Sequence, residues 1–157
     1  MDCLAPEFEK QGFIYQKGGR FWRICDNKTD VIELRFLLNN DSLSSNLPLS
    51  TFSLLGGCYL NFLPKVFGDK ALHHLPNLLT PDETHCNLRF TAVRSIHQHI
   101  LKRNSYSWHL DCDENEQSEI LTDVRNAFGT QFLPLMNKFN DINKLLGSSQ
   151  KTENKAR

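Results

Sequence analysis

The sequence predicts a single α+β domain, a mostly antiparallel sheet of about five strands with helices packed on one face. Two observations point there. Between Gly12 and Leu38, three short apolar and aromatic runs are separated by two turn signals. Runs that alternate apolar with polar residues recur downstream, whereas the chain after Ser118 changes to helical spacing. Strands first and long helices last is the pattern of segregated α+β layers rather than of alternating βαβ units.

The elements follow in order. Leu4 to Gln11 predicts a short helix with Leu4 and Phe8 one turn apart, ended by Gly12. Phe13 to Gln16 and Arg20 to Cys25 form a strand pair around Lys17-Gly18-Gly19, since paired glycines accept positive φ. Asp26-Asn27-Lys28 reads as the next turn and Val31 to Leu38 as the third strand. Ile32, Leu34, Phe36 and Leu38 then face the core, while Val31, Glu33, Arg35 and Leu37 face the other way. A charged pair on the second face implies a sheet covered on one side, with the other partly open.

Thr51 to Leu60 is a fourth strand in which Gly56-Gly57 marks a bulge or a close approach to the backbone. The stretch 68–84 is long for a loop in a compact domain. His85 to Thr91 is a fifth strand, with Cys86, Leu88 and Phe90 inward and His85, Asn87 and Arg89 outward. Val93 to Lys102 has helical spacing, and Tyr106 to Leu110 is a short aromatic strand. Acidic residues from Asp111 to Gln117 lead into a helix over 118–128, stopped by Gly129. Thr130 caps a second helix that carries Pro134 in its first turn and ends at Gly147. One domain thus spans 1–147, and 148–157 is a solvated, disordered tail.

Composition excludes several classes. At 157 residues, 39% hydrophobic and 23% charged, the chain is neither too short for a core nor polar enough for disorder. Lys+Arg and Asp+Glu both number 18, so the basic excess of a general nucleic-acid coat is missing. Five dispersed cysteines with no CxxC pair read as reduced thiols, and no stretch is apolar enough for a leader or a bilayer span. A cytoplasmic protein follows.

Catalytic and metal motifs are likewise missing. Asp111, Asp113 and Asn115 begin like a calcium loop, but Glu116 stands where the glycine belongs and Thr122 where the closing glutamate belongs. There is no HExxH, GxSxG or GxxxxGK[ST]. Neither a metal nor a cofactor is expected. The constellation left is a polar sheet face that unites Arg23, or its neighbour Arg20, with Glu33, Arg35, His85 and Arg89, with Trp108 either rimming it or packed in the core. Such a face suits an anion or a charged partner; the alternative is a ladder of cross-strand ion pairs.

The residues Gly12-Phe13, Lys17, Arg20-Phe21-Trp22-Arg23 and, downstream, His85-Cys86-Asn87-Leu88-Arg89-Phe90 resemble a family of small bacterial proteins, domain of unknown function 4304. Phe13, Phe21, Arg23, Cys86, Arg89 and Trp108 are the matching positions, and the resemblance runs from about Phe8 to Phe139, departing in 68–84. It implies a fold and no activity. With no catalytic motif and a mixed-charge sheet face that suits a charged partner, the expected function is a non-enzymatic cytosolic protein binder, an immunity protein that neutralises a protein toxin. The alternative is an enzyme on phosphoesters or nucleotides, with His85 as general base and Arg23, Arg35 and Arg89 clamping the anion.

Overall fold

The computed structural model describes residues 3–15, 18–37, 47–61, 80–84, 88–101 and 104–140. Helix α1 (Ala5–Glu9) buries Phe8 and ends as expected at Gly12, whose φ is 81°. Strand β1 (Ile14–Tyr15) pairs with β2 (Arg20–Ile24), with Gly18 and Gly19 both at positive φ between them. Strand β3 (Lys28–Phe36) pairs along its whole length with β4 (Thr51–Leu60), and β4 carries both β5 (Arg89–Thr91) and β6 (Trp108–His109) on its far side. Every pairing is antiparallel. The α+β class is thus as the sequence predicts.

Register assigns the faces. Phe21, Ile32 and Gly56 lie opposite one another, as do Leu34 and Leu54, and Phe52 and Trp108. This row joins Phe8, Ile120, Val124, Phe128, Phe132 and Met136 in one buried cluster, so α1 and the C-terminal helices cover a single face. Edge-to-face contacts of Phe8 with Phe21 and Phe128, at 4.7 and 4.6 Å, knit the layers at the geometry aromatic quadrupoles favour. Gly56 belongs to this face: a Cβ there would sit 2.8 Å from Phe132 and 2.9 Å from Phe90. The continuous β3–β4 register shows that the glycine pair serves close approach, not a bulge.

Three sequence expectations are corrected here. Lys28 is not a turn residue but the first residue of β3, and it is buried. The segment Val93 to Lys102 is not a helix in its described part. Only His99–Leu101 makes a 3₁₀ turn, because the Ser95 and Ile96 amides donate to the Asp123 carboxylate rather than to helical carbonyls. Nor does Gly129 stop a helix. Helix α2 (Glu114–Ala127) runs through a π turn (Phe128–Phe132) into α3 (Leu133–Lys138). Pro134 has no N–H and its ring presses on the carbonyl four residues back. The wider π turn, closed by Leu133 N–H to Phe128 O, takes up that misfit without breaking the helix.

The second face is also less open than alternation suggests. Thr29 and Val31 are fully buried and Trp22 nearly so, and Val31 packs with Trp22 and Tyr59. The segment 80–84 lies on this side: Thr84 is buried over Gly57, where a Cβ would approach Thr84 Cβ to 2.9 Å. The stretches 62–79, 85–87 and 141–157, with the predicted tail and His85, lie outside the described residues.

Candidate functional site

The described site residues separate into three places. Arg23 pairs in register with Asp30, which shares a face with Ile32. It therefore belongs to the helix-covered side, and the arginine opposite Glu33 is Arg20. Of the two arginines weighed for the polar face, Arg20 lies there and Arg23 does not, since a one-residue shift in β2 exchanges the faces.

Arg23 has an internal role instead. Its Nε and Nη2 donate to Asp30 Oδ2 at 3.0 and 2.7 Å, its Nη2 also to Asn137 Oδ1 and its Nη1 to the Gln11 carbonyl. The guanidinium lies 4.8 Å from the Phe13 ring centroid. Lys28 Nζ donates to both oxygens of Asp30, each at 2.8 Å, and to Met136 O at 2.5 Å. Two cations thus share one fully buried carboxylate. The surplus positive charge is met by the Met136 carbonyl near the C-terminal end of α3, the negative end of the helix dipole. Cys58 lies opposite Asp30 on β4. Burial first, and then the Asp30 carboxylate, push its thiol well above the ordinary range, so it is an inert core residue.

Glu33 and Arg35 lie on the second face as predicted. Arg35 forms a two-point pair with Glu33 at 3.1 and 3.0 Å, and its Nη2 donates to Asp82 at 2.7 Å. The Glu33 hydrogen bonds, reinforced by Asp82, outweigh partial burial and hold the guanidinium above its ordinary pKa. Exposure is graded through the triplet: the Glu33 side chain is 12% exposed, Arg35 38% and Asp82 65%. Arg89 shares this face, opposite Gly57, but its Nε and Nη2 both donate to Thr84 O, which anchors the covering segment. His85 lies outside the described residues.

Trp108 is not a rim residue. It is fully buried, stacks on Phe52 at 5.6 Å, and donates through Nε1 to Asp123 Oδ2 at 2.9 Å. Asp123 also accepts from the Ser95 hydroxyl and from the Ser95 and Ile96 amides. One carboxylate thereby fastens the 92–98 loop and β6 to α2.

The anion clamp of Arg23, Arg35 and Arg89 is accordingly not assembled, since Arg23 lies across the sheet from the other two. Sequence reasoning missed Lys28, Asp30 and Asp123. The first two were legible: extending the Ile32–Leu34 parity backwards puts Asp30 and Lys28 on the core row. Asp123 had no comparable signal, because its partners come from distant segments. Among the described residues no group of three or more metal-ligating side chains converges, and no helix is long and apolar enough to cross a membrane. Compared with known proteins, the chain matches no family model, no curated protein and no solved structure. The resemblance to domain of unknown function 4304 rests on its motif residues alone.

Proposed function

We propose that the protein is a non-enzymatic cytosolic binding domain, of the immunity type that occupies and blocks a partner protein toxin. The graded triplet Glu33–Arg35–Asp82 supports this reading. Glu33 holds Arg35 in place from its sheltered side, whereas Asp82, the more exposed carboxylate, can be exchanged for one belonging to a partner. A guanidinium held in place by one acid and accessible to a second loses less side-chain freedom when it binds, and its planar fork suits carboxylate recognition.

The test uses the full chain as bait in a native lysate across a salt series, with any stoichiometric protein identified by mass spectrometry. The Arg35→Glu variant is expected to lose the partner mainly through faster dissociation. The Asp82→Asn variant is expected to bind it more tightly, because the internal competitor is gone. Absence of a specific partner at any salt, or a partner indifferent to both variants, would sink the reading.

A further inference from the structure

On the helix-covered side, at the end of the sheet where β3 finishes, the packing leaves a cavity of about 190 Å³. Leu4, Leu34 and Phe52 form its buried floor, and half-buried Leu110 and Leu121 line it with Phe36. Phe36 is 42% exposed, an aromatic side chain left in water beside an apolar hollow. The volume decides the class of occupant. Pockets for cofactors and drug-sized ligands start at roughly 300 Å³, whereas an apolar cavity of about 150 Å³ accepts one benzene ring. This cavity therefore fits one branched aliphatic or aromatic side chain, the anchor-in-pocket arrangement of protein interfaces.

The charge beside the cavity selects what flanks that anchor. Gln117 lines it and donates to the carbonyls of Leu110 and Cys112, so the turn 110–113 and the first turn of α2 form one wall. That wall carries exposed Asp111, Asp113 and Glu114 and half-buried Glu116. Asp113 is engaged as the N-cap, accepting from Glu116 N. Burial, with Glu116, Asp113 and Asp111 adding to it, raises the Cys112 thiol, in keeping with a negative local field. Among the described residues, Arg125 reaches this side, and its Nη2 donates to the Cys3 carbonyl. Among the described residues the wall is therefore acidic, with Asp111 and Glu114 its exposed carboxylates outside the Asp113 cap and the Gln98–Glu116 hydrogen bond.

We propose that this cavity docks a partner segment in which a single leucine-like or aromatic side chain is flanked by lysines or arginines. The proposal rests on the reading of the protein as a binding domain and adds the chemistry of the partner. Phe36 follows Arg35 in β3, so a partner gripping Arg35 on one face meets the cavity around the same strand end.

The test uses synthetic peptides with one central residue varied over all side chains and flanked by either lysines or glutamates. Binding is read by fluorescence anisotropy and by protection of Cys3, the exposed thiol at the cavity wall, from alkylation. Lysine-flanked peptides with central Leu, Phe or Trp are expected to bind and protect Cys3, and a central Ala should weaken them at least tenfold. Leu121→Trp, which fills the cavity, should abolish both signals. Asp111→Lys with Glu114→Lys, both exposed and outside the core, should remove the preference for lysine flanks. Binding indifferent to the central residue or to flank sign would overturn the proposal. So would self-association of the chain that Leu121→Trp abolishes, which makes a second copy the occupant. A native partner whose affinity is unchanged by Leu121→Trp and by the double lysine variant would overturn the cavity proposal while leaving the binding reading intact.

Discussion

At the scale of single residues, the buried charges around Asp30 make the sharpest energetic statement. Lys28 and Arg23 both depend on this one carboxylate, and Asp30 is fully buried. Removing it strands two cations at once, whereas removing Lys28 leaves Asp30 still paired with Arg23. Breaking a buried pair from one side typically costs about 3–5 kcal/mol. Asp30→Ala is therefore expected to lose at least that much in urea unfolding, and Lys28→Met only about 1–3 kcal/mol, chiefly for the unsatisfied Met136 carbonyl. Equal losses would show that the two cations do not share the carboxylate. Cys58 beside them gives a pH dependence of definite sign. Its thiol is raised in the folded state, so above about pH 9 the unfolded chain loses this proton while the folded chain keeps it. Stability should then fall as pH rises past the ordinary thiol range, and urea midpoints should fall less steeply in Cys58→Ala.

At the scale of elements, the long C-terminal helix is held by side chains that replace backbone pairing. Gln131, within the π turn, accepts from Val93 N at 2.8 Å and donates to Val93 O at 2.7 Å, so its amide acts as a one-residue strand partner. Gln98 does the same for His109, with bonds of 2.8 and 2.9 Å. Four polar contacts on Asp123 fix the loop between these points. Asp123→Ala should cost more than Gln131→Ala, since it orphans the buried Trp108 indole and loosens the whole loop. An expected loss of about 2–4 kcal/mol, faster amide exchange at Ser95 and Ile96, and a shifted Trp108 fluorescence would report it. Glutamine and aspartate also explain what the sequence concealed. Strand β4 was legible residue for residue because its cues are local: a short apolar and aromatic run with a glycine pair inside it. The 92–98 loop was not, because its apolar spacing imitates a helix while its amides are claimed by a carboxylate 28 positions away from Ser95. The π turn hid for a related reason, since Gly129 is a helix stop only when it takes a left-handed conformation, and it does not here. In the candidate site, Glu33 and Arg35 followed from strand parity. Arg23 did not, because β2 is short and interchangeable in register when two of its five residues are arginine.

At the scale of the whole molecule, the sheet and the helix are one cooperative unit rather than two layers that can part. Phe8, Phe21, Phe128, Phe132 and Met136 belong to a single buried cluster drawn from α1, β2 and the C-terminal helix. Hydrogen bonds from Lys28 and Arg23 fasten one end of that helix to the sheet, and Trp108 with Asp123 fastens its middle. A chain ended at Asp113 would keep every described strand yet expose the apolar row of Phe21, Ile32, Leu34, Leu54 and Phe52, and would leave Lys28 without Met136. Burying a large apolar side chain contributes about 1.5–3 kcal/mol, and the net stability of a domain is only about 5–15 kcal/mol. Uncovering five such residues therefore removes as much free energy as the fold has in reserve. The 1–113 chain is expected to show no cooperative thermal transition and to aggregate. The full chain should unfold with far-UV dichroism and tryptophan fluorescence following one coincident curve. A 1–113 fragment that melts cooperatively, or two separated transitions in the full chain, would mean that the sheet holds its shape without the helix. The buried charges joining the two would then set alignment rather than stability.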